Sequence, residues 1–315
     1  MAINNAKISV IGAGFVGSTT AYALTLQNVA TEIVLVDINK DKSKAEALDI
    51  AHATSALGDI EVRPGDYKET KDSDIVIITA GIGPKPGETR LDIVNKNLKV
   101  FKSMIPEIVK YSPNAILLVV SNPVDILTYM TYKLSGFPKN RVLGSGTVLD
   151  TLRLKYTIEK EYNLDSKDID TLIIGEHGDS QVALWSQTNI HGIPIDSYFN
   201  AIDREFHNDV KEEIAEAVKE AGYHIIQGKG YTNFGVAIAV TRIVKAILND
   251  ENALLPVSSL YTGEYGIEDI YLGAPCMVGR IGVKRIFQIP IDENELRQLK
   301  ASADSLKALT KDLNI

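Results

Sequence analysis

The hydrophobic positions of this chain follow two patterns, and the change comes near residue 150. In the first half, short apolar runs rich in β-branched residues recur at Lys7–Ile11, Glu32–Val36, Asp74–Thr79 and Ala115–Val120. Runs without polar alternation suit strands buried on both faces of a parallel sheet. Stretches of helical period lie between them, among them Val16–Gln27 and Lys42–Ala53. Strand and helix in alternation predict an open α/β sheet with right-handed crossovers. In the second half, longer helical segments (Asp203–Ile226, Val236–Leu248) precede strand-like pieces at Ser258–Tyr261, Asp269–Leu272 and Lys284–Ile289. A last helix opens at Asp292, where Glu295 completes a capping box. Leu296, Leu299, Ala303, Leu306 and Leu313 share its apolar face. The shift predicts two domains, 1–145 and 146–315.

Composition narrows the function classes. The chain has 315 residues, 45% hydrophobic and 23% charged, with a formal charge of −8. Disorder and coiled coil are poor fits. The acidic balance argues against a nucleic-acid partner, which needs a basic face, and any site for an anionic substrate must concentrate positive charge locally. One cysteine, Cys276, allows no intrachain disulfide and suits a reducing compartment. The opening does not read as a signal segment, and the longest apolar runs are too short to span a bilayer. The expectation is a cytoplasmic protein with no membrane partner.

Gly12-Ala13-Gly14-Phe15-Val16-Gly17 follows the first strand and opens the first helix. A lone GxGxxG is weak evidence, but here a strand precedes it and a helix follows. Gly12 permits the tight turn, Gly14 lets backbone approach a pyrophosphate, and Gly17 lets helix and strand pack closely. Asp37 ends the second strand, 20 residues after Gly17. A carboxylate there accepts from a ribose 2′-hydroxyl and repels a 2′-phosphate, which favours NAD over NADP. The same fingerprint also binds FAD, but the further motifs usual in FAD-binding chains are not found.

Ligands of such sheets bind at the carboxyl ends of strands. The third strand runs into a Gly- and Pro-rich loop, Ala80 to Arg90, which is either a surface connection or a lid carrying Arg90. The fourth ends in Ser121-Asn122-Pro123-Val124-Asp125. Asp150 and Arg153, three residues apart, share a helix face; alone they are equally an intrahelical ion pair. His177 lies in Ile173-Ile174-Gly175-Glu176-His177-Gly178-Asp179-Ser180, a Gly-flanked turn after an apolar run. A lone His there is more often structural. Together, imidazole, carboxylate and guanidinium are the parts that move a proton on and off a small anion. A zinc site is not supported, because no second His or Cys stands at ligand spacing from His177.

The segments GAGFVG, LVD, AGIGPKPGETR, VSNPVDILTY, GSGTVLDTLR and IGEHGDS occur in this order and spacing. In these motifs the chain resembles the L-lactate/malate dehydrogenase family, its bacterial L-lactate branch above all, over nearly its whole length. The resemblance implies an N-terminal Rossmann dinucleotide-binding domain with a C-terminal α+β substrate domain, and a place in glycolysis and fermentation. It implies that His177 exchanges the substrate proton, Asp150 holds its ring, Arg153 binds the substrate carboxylate and Arg90 polarises the carbonyl. Asn122, Asp125, Thr232 and Pro84 would complete the substrate site. For NAD, the matching positions beyond Gly12, Gly14, Gly17 and Asp37 are Val16, Lys42, Tyr67, Gly81, Ile82, Ser103, Val120, Asn122 and Ser145.

At the position of Pro84 the family's lactate branch usually carries Gln and its malate branch Arg. Proline supplies neither amide nor charge, so pyruvate is expected over oxaloacetate. Malate or a larger 2-hydroxy acid is the alternative, and a non-catalytic NAD-binding protein is the alternative of another class. The resemblance also implies a homotetramer, with a dimer as fallback. Where relatives bind fructose 1,6-bisphosphate through an Arg and a His, this chain has Lys155 and Asp170, so that effector is not expected to activate it.

Overall fold

The computed structural model describes residues 5–83 and 87–311. In the first half, chain order is β1 (Lys7–Ile11), α1 (Phe15–Leu26), β2 (Glu32–Val36), α2 (Lys40–Thr54), β3 (Glu61–Gly65) and β4 (Ile75–Ile78). Then come α3 (Arg90–Tyr111), β5 (Ile116–Val119), α4 (Val124–Ser135), β6 (Val142–Gly144) and α5 (Val148–Tyr162). The six strands form a parallel array in the order β3-β2-β1-β4-β5-β6. Ile8, Val10, Ile33, Leu35, Ile75 and Ile77 are fully buried, because helices cover both faces of the sheet. The periodicity missed β3 and β6. β3 is an edge strand carrying Glu61, Arg63 and Pro64, and proline is tolerated only at such an edge. β6 has three residues, too few for a pattern.

The second half adds β7 (Ile169–Asp170), β8 (Ile173–Gly175), β9 (Gln181–Ala183), β10 (Asn189–Ile190), β11 (Ile193–Pro194), α6 (Ile195–Ala201), α7 (Asn208–Lys229) and α8 (Phe234–Leu248). It closes with β12 (Ala253–Thr262), β13 (Glu268–Gly279), β14 (Gly282–Ile286) and α9 (Glu293–Thr310). The sheet does not stop at β6. It continues through antiparallel β12, β13, β8 and β9, with β14 on β13, into one 11-stranded sheet. β7, β10 and β11 form a small sheet of their own.

The join is tight. Ser258 on β12 pairs with Gly144 on β6, and a Cβ at Gly144 would lie 2.9 Å from that of Ser258. α7 starts at Asn208, later than the hydrophobic period suggests, because Asp203 adopts φ +52° and ends the preceding turn. No helix among the described residues is long and apolar enough to cross a membrane.

The capping box of α9 is present: Glu295 N–H donates to Asp292 Oδ1 at 2.8 Å, and Asp292 N–H to Glu295 Oε2 at 3.0 Å. Leu299, Ala303 and Leu306 are buried and Leu296 partly so; Leu313 lies outside the described residues. Glu295 does more than cap. It is 4% exposed, and its carboxylate also accepts from Ser186 N–H at 2.9 Å and Ser186 Oγ at 2.5 Å. Glu295→Ala therefore leaves several donors unmet. It should destabilise the fold by about 2–4 kcal/mol, with Glu295→Gln restoring part. Denaturant unfolding checks this; an unchanged midpoint in the Ala variant would contradict it.

Candidate active site

The turn after β1 is shaped by what glycine lacks. Gly12 has φ +106°, and a Cβ there would stand 2.6 Å from Ala80 N. A Cβ on Gly17 would stand 1.8 Å from the Gly12 carbonyl oxygen. Gly14 is the opposite case: its Cβ position meets nothing within 4 Å. The turn is thus packed inside and open in front. Gly14 is also the N-cap of α1, which has no side-chain cap and no acid in its first turn. Such a helix end, with free N–H groups and a positive dipole end, fits a pyrophosphate. Asp37 anchors the turn, taking Ala13 N–H at 2.7 Å and Asn39 N–H at 2.9 Å. Each of its oxygens keeps capacity for a ribose hydroxyl.

Beyond the carboxyl ends of the strands lies a cavity of about 250 Å³, lined by Val16, Gly81, Ile82, Val120, Asn122 and Ser145, among others. Asn122, Arg153, His177 and Thr232 line this cavity and also an adjoining one of about 410 Å³. Six expected cofactor positions and four expected catalytic or substrate positions are therefore brought together. Tyr67 packs against the core near Asp37, and Lys42 sits 5.8 Å from the Phe15 ring centroid. Ser103 is exposed on α3, its hydroxyl bonded to the Val100 carbonyl. None of these three lines either cavity. Arg90 opens α3, while Pro84 lies outside the described residues. Lys155 and Asp170 line a separate cavity with Arg242.

Two elements present an imidazole, a carboxylate and a guanidinium. α5 carries Asp150 and Arg153, one turn apart. β8 delivers His177, and its last residue, Gly175, pairs with Gly273 on β13. Asp150, 2% exposed, bridges the two: Oδ2 meets His177 Nδ1 at 2.6 Å, and Oδ1 accepts from Arg153 Nη1 at 3.0 Å. With Nδ1 engaged, Nε2 is the ring nitrogen that a ligand can use. Asp125, 3% exposed, accepts from the His177 backbone N–H at 2.9 Å and from Ser258 Oγ at 2.6 Å. Its carboxylate thus orients the histidine's main chain.

Residues 6–144 match the profile described as the lactate/malate dehydrogenase NAD binding domain, and residues 147–314 that of the alpha/beta C-terminal domain. The chain belongs to the lactate/malate dehydrogenase family. Among members of this family, it is 60% identical over 301 residues to an L-lactate dehydrogenase of Clostridium perfringens strain SM101, covering 96% of this chain and 95% of that protein. It is 56% identical over 304 residues to one from Clostridium botulinum strain Loch Maree, covering 96% of each. Its structure is similar to that of the minor L-lactate dehydrogenase from Enterococcus mundtii in a ligand-bound form, with a TM-score of 0.95 and 41% identity over 99% of each chain.

Several residues of this family member's site were not anticipated from sequence. Asn97, fully buried in α3, mimics a peptide: Oδ1 accepts from Ile82 N–H at 2.8 Å and Nδ2 donates to Ile82 O at 3.0 Å, which fixes the loop after β4. The signal was available, as a polar side chain at a core position of a helix whose neighbours Val94, Leu98 and Phe101 are apolar. Thr79 donates to the carbonyls of Ile11 and Gly12 and lines the first cavity. Gly222 on α7 lines the second, where a Cβ would stand 3.6 Å from Arg153 Nη2.

The electrostatics of the trio are opposed. Burial disfavours the His177 imidazolium, but attraction to Asp150, the hydrogen bond with it and the field of Asp125 outweigh burial, so its pKa rises above 6.5. Burial likewise pushes Asp150 up, and His177 and Arg153 together hold it below the usual carboxylate range. His177 therefore adds stability that is full below pH 6.5 and is lost as pH rises through its folded pKa. NMR titration of the His177 ring should give a midpoint above 6.5. In Asp150→Asn the midpoint should fall, because burial and Arg153 then act with less opposition. An unchanged midpoint would show that Asp150 does not set it.

Proposed function

We propose that this chain interconverts pyruvate and L-lactate with NAD, through His177, Asp150 and Arg153. The observation that carries this reading is the Asp150 carboxylate, which holds an imidazole and a guanidinium in one cleft beside a dinucleotide turn. Bound NADH supplies the hydride for reduction, and NAD accepts it in the reverse direction. Arg153 takes the substrate carboxylate, a planar match that lysine does not offer. In reduction, the proton on His177 Nε2 passes to the carbonyl oxygen, and Asp150 stabilises the imidazolium beforehand. In oxidation, Nε2 takes that proton back from the hydroxyl. Asn122 and Thr232 border the same space, and Arg90 at the start of α3 polarises the reacting oxygen.

Substrate choice follows from charge. Proline at position 84 supplies no partner for a second carboxylate, and Lys219, which also lines the larger cavity, is paired with Glu216 at 3.1 Å. Pyruvate is thus preferred over oxaloacetate. Ile93, Ile226 and the bare Gly222 leave apolar room for larger 2-oxo acids. A cytoplasmic place is supported by a single, buried cysteine. NADH consumption with a panel of 2-oxo acids tests the reading: pyruvate should be turned over well and oxaloacetate poorly. His177→Ala should lower turnover about a hundredfold or more while NADH still binds. Equal kcat/KM for pyruvate and oxaloacetate, or normal turnover in the variant, would overturn it.

Self-association, as a homotetramer, is part of the same proposal. Tyr22 and Leu26 on α1, Ile225 on α7 and Phe234 and Ile238 on α8 are large apolar side chains exposed in the single chain, and burial against further copies would remove them from water. Light scattering at micromolar concentration should report four chains; a monomer would refute it.

A further inference from the structure

The segment Gly230–Asn233 joins α7 to α8 and carries Thr232 into both cavities. Gly230 ends α7 at φ +86°, its N–H on the Ile226 carbonyl at 2.8 Å. So short a connection has no core of its own. Much of its support comes from the far end of the sequence. Tyr231 lies flat on Phe15, with ring centroids 3.7 Å apart and planes within 1°. Asn233, 7% exposed, donates to Thr19 Oγ1 at 2.8 Å, across 214 residues. Its own Oδ1 accepts from Lys229 Nζ, and that ammonium stands 3.9 Å from the Phe234 ring centroid and 4.7 Å from that of Tyr231.

Phe15 and Thr19 occupy the first two turns of α1, the helix whose open N-terminus fits the cofactor phosphates. The substrate wall and the cofactor helix are therefore fastened to each other. The fastening is directional: a stacked ring pair fixes a plane, and a buried side-chain hydrogen bond fixes a distance. Phe15 is 57% exposed, so the stack is not explained by core packing.

We infer that Phe15, Thr19, Tyr231 and Asn233 are positioning residues, a clamp that sets Thr232 against His177 and Arg153 and ties substrate binding to the cofactor helix. This rests on the reading that the cleft reduces a 2-oxo acid. The clamp touches neither the imidazole nor Asp150, so it acts on substrate affinity and not on the proton. Cofactor that orders the start of α1 also steadies the substrate wall, and by linkage substrate tightens cofactor binding by the same factor.

The test uses the full chain with NADH and pyruvate. Tyr231→Ala should raise the KM for pyruvate about three- to tenfold, with the affinity for NADH alone and the pH profile of kcat unchanged. Tyr231→Phe keeps the ring and should restore the wild-type KM. Phe15→Ala removes the same stack from an exposed position, which serves if Tyr231→Ala does not fold, and the double variant should be no worse than either single one. Asn233→Ala should move KM in the same direction. An unchanged KM in the active single variants, additive losses in the double variant, or failure of Tyr231→Phe to restore KM would overturn the clamp. A wild-type chain that turned over no 2-oxo acid would instead overturn the reading of the cleft, and the clamp with it.

Discussion

A buried carboxylate organises this molecule. Asp150 is 2% exposed and keeps its charge only because an imidazole and a guanidinium close on its two oxygens. Removing either cation would leave a charge in a poorly solvated place, and removing the carboxylate would set two cations against each other. With His177 protonated the trio carries one net positive charge. That leaves a net attraction for an anionic ligand.

The trio depends on a frame built from distant parts of the chain. Asp125, at the start of α4, holds the His177 main chain, and Ser258 on β12 holds Asp125. Ser258 in turn faces Gly144 across the join of the two halves. Thr147, at the start of α5, donates to the Ile173 carbonyl at 2.5 Å and the Pro256 carbonyl at 3.2 Å. A Cβ on Gly273 would strike that hydroxyl at 2.5 Å. Small residues therefore stand where strand, helix and the His177 turn converge, and they let the backbones approach closely enough for single side chains to bridge them.

Legibility in the sequence followed the range of each interaction. The Gly12–Gly17 turn, the Asp37 strand end and the i,i+3 pair Asp150–Arg153 are local devices, so spacing alone exposes them. The two-sided burial of β1, β2, β4 and β5 is likewise local, written as unbroken apolar runs. His177 stood out by its glycines and Asp150 as a carboxylate able to orient it, but only the fold shows the two, 27 residues apart, in contact. The Phe15–Tyr231 stack and the Thr19–Asn233 bond have no local pattern, because the two sides of each contact obey different periodicities. The edge strand β3 was hidden by its charges and Pro64, and β12 was read only from Ser258 to Tyr261, because Pro256 interrupts the apolar run before it.

The unbroken sheet has a further meaning for how the chain can be divided. The two profile matches meet near residue 145, yet β6 and β12 are neighbours within one sheet. Cutting there would bare two strand edges whose N–H and C=O groups invite pairing with foreign chains. The halves are consequently poor candidates for separate expression, for shuffling between relatives or for an inserted linker at that point. They share one skeleton, held across the join by the pairing of Ser258 with Gly144.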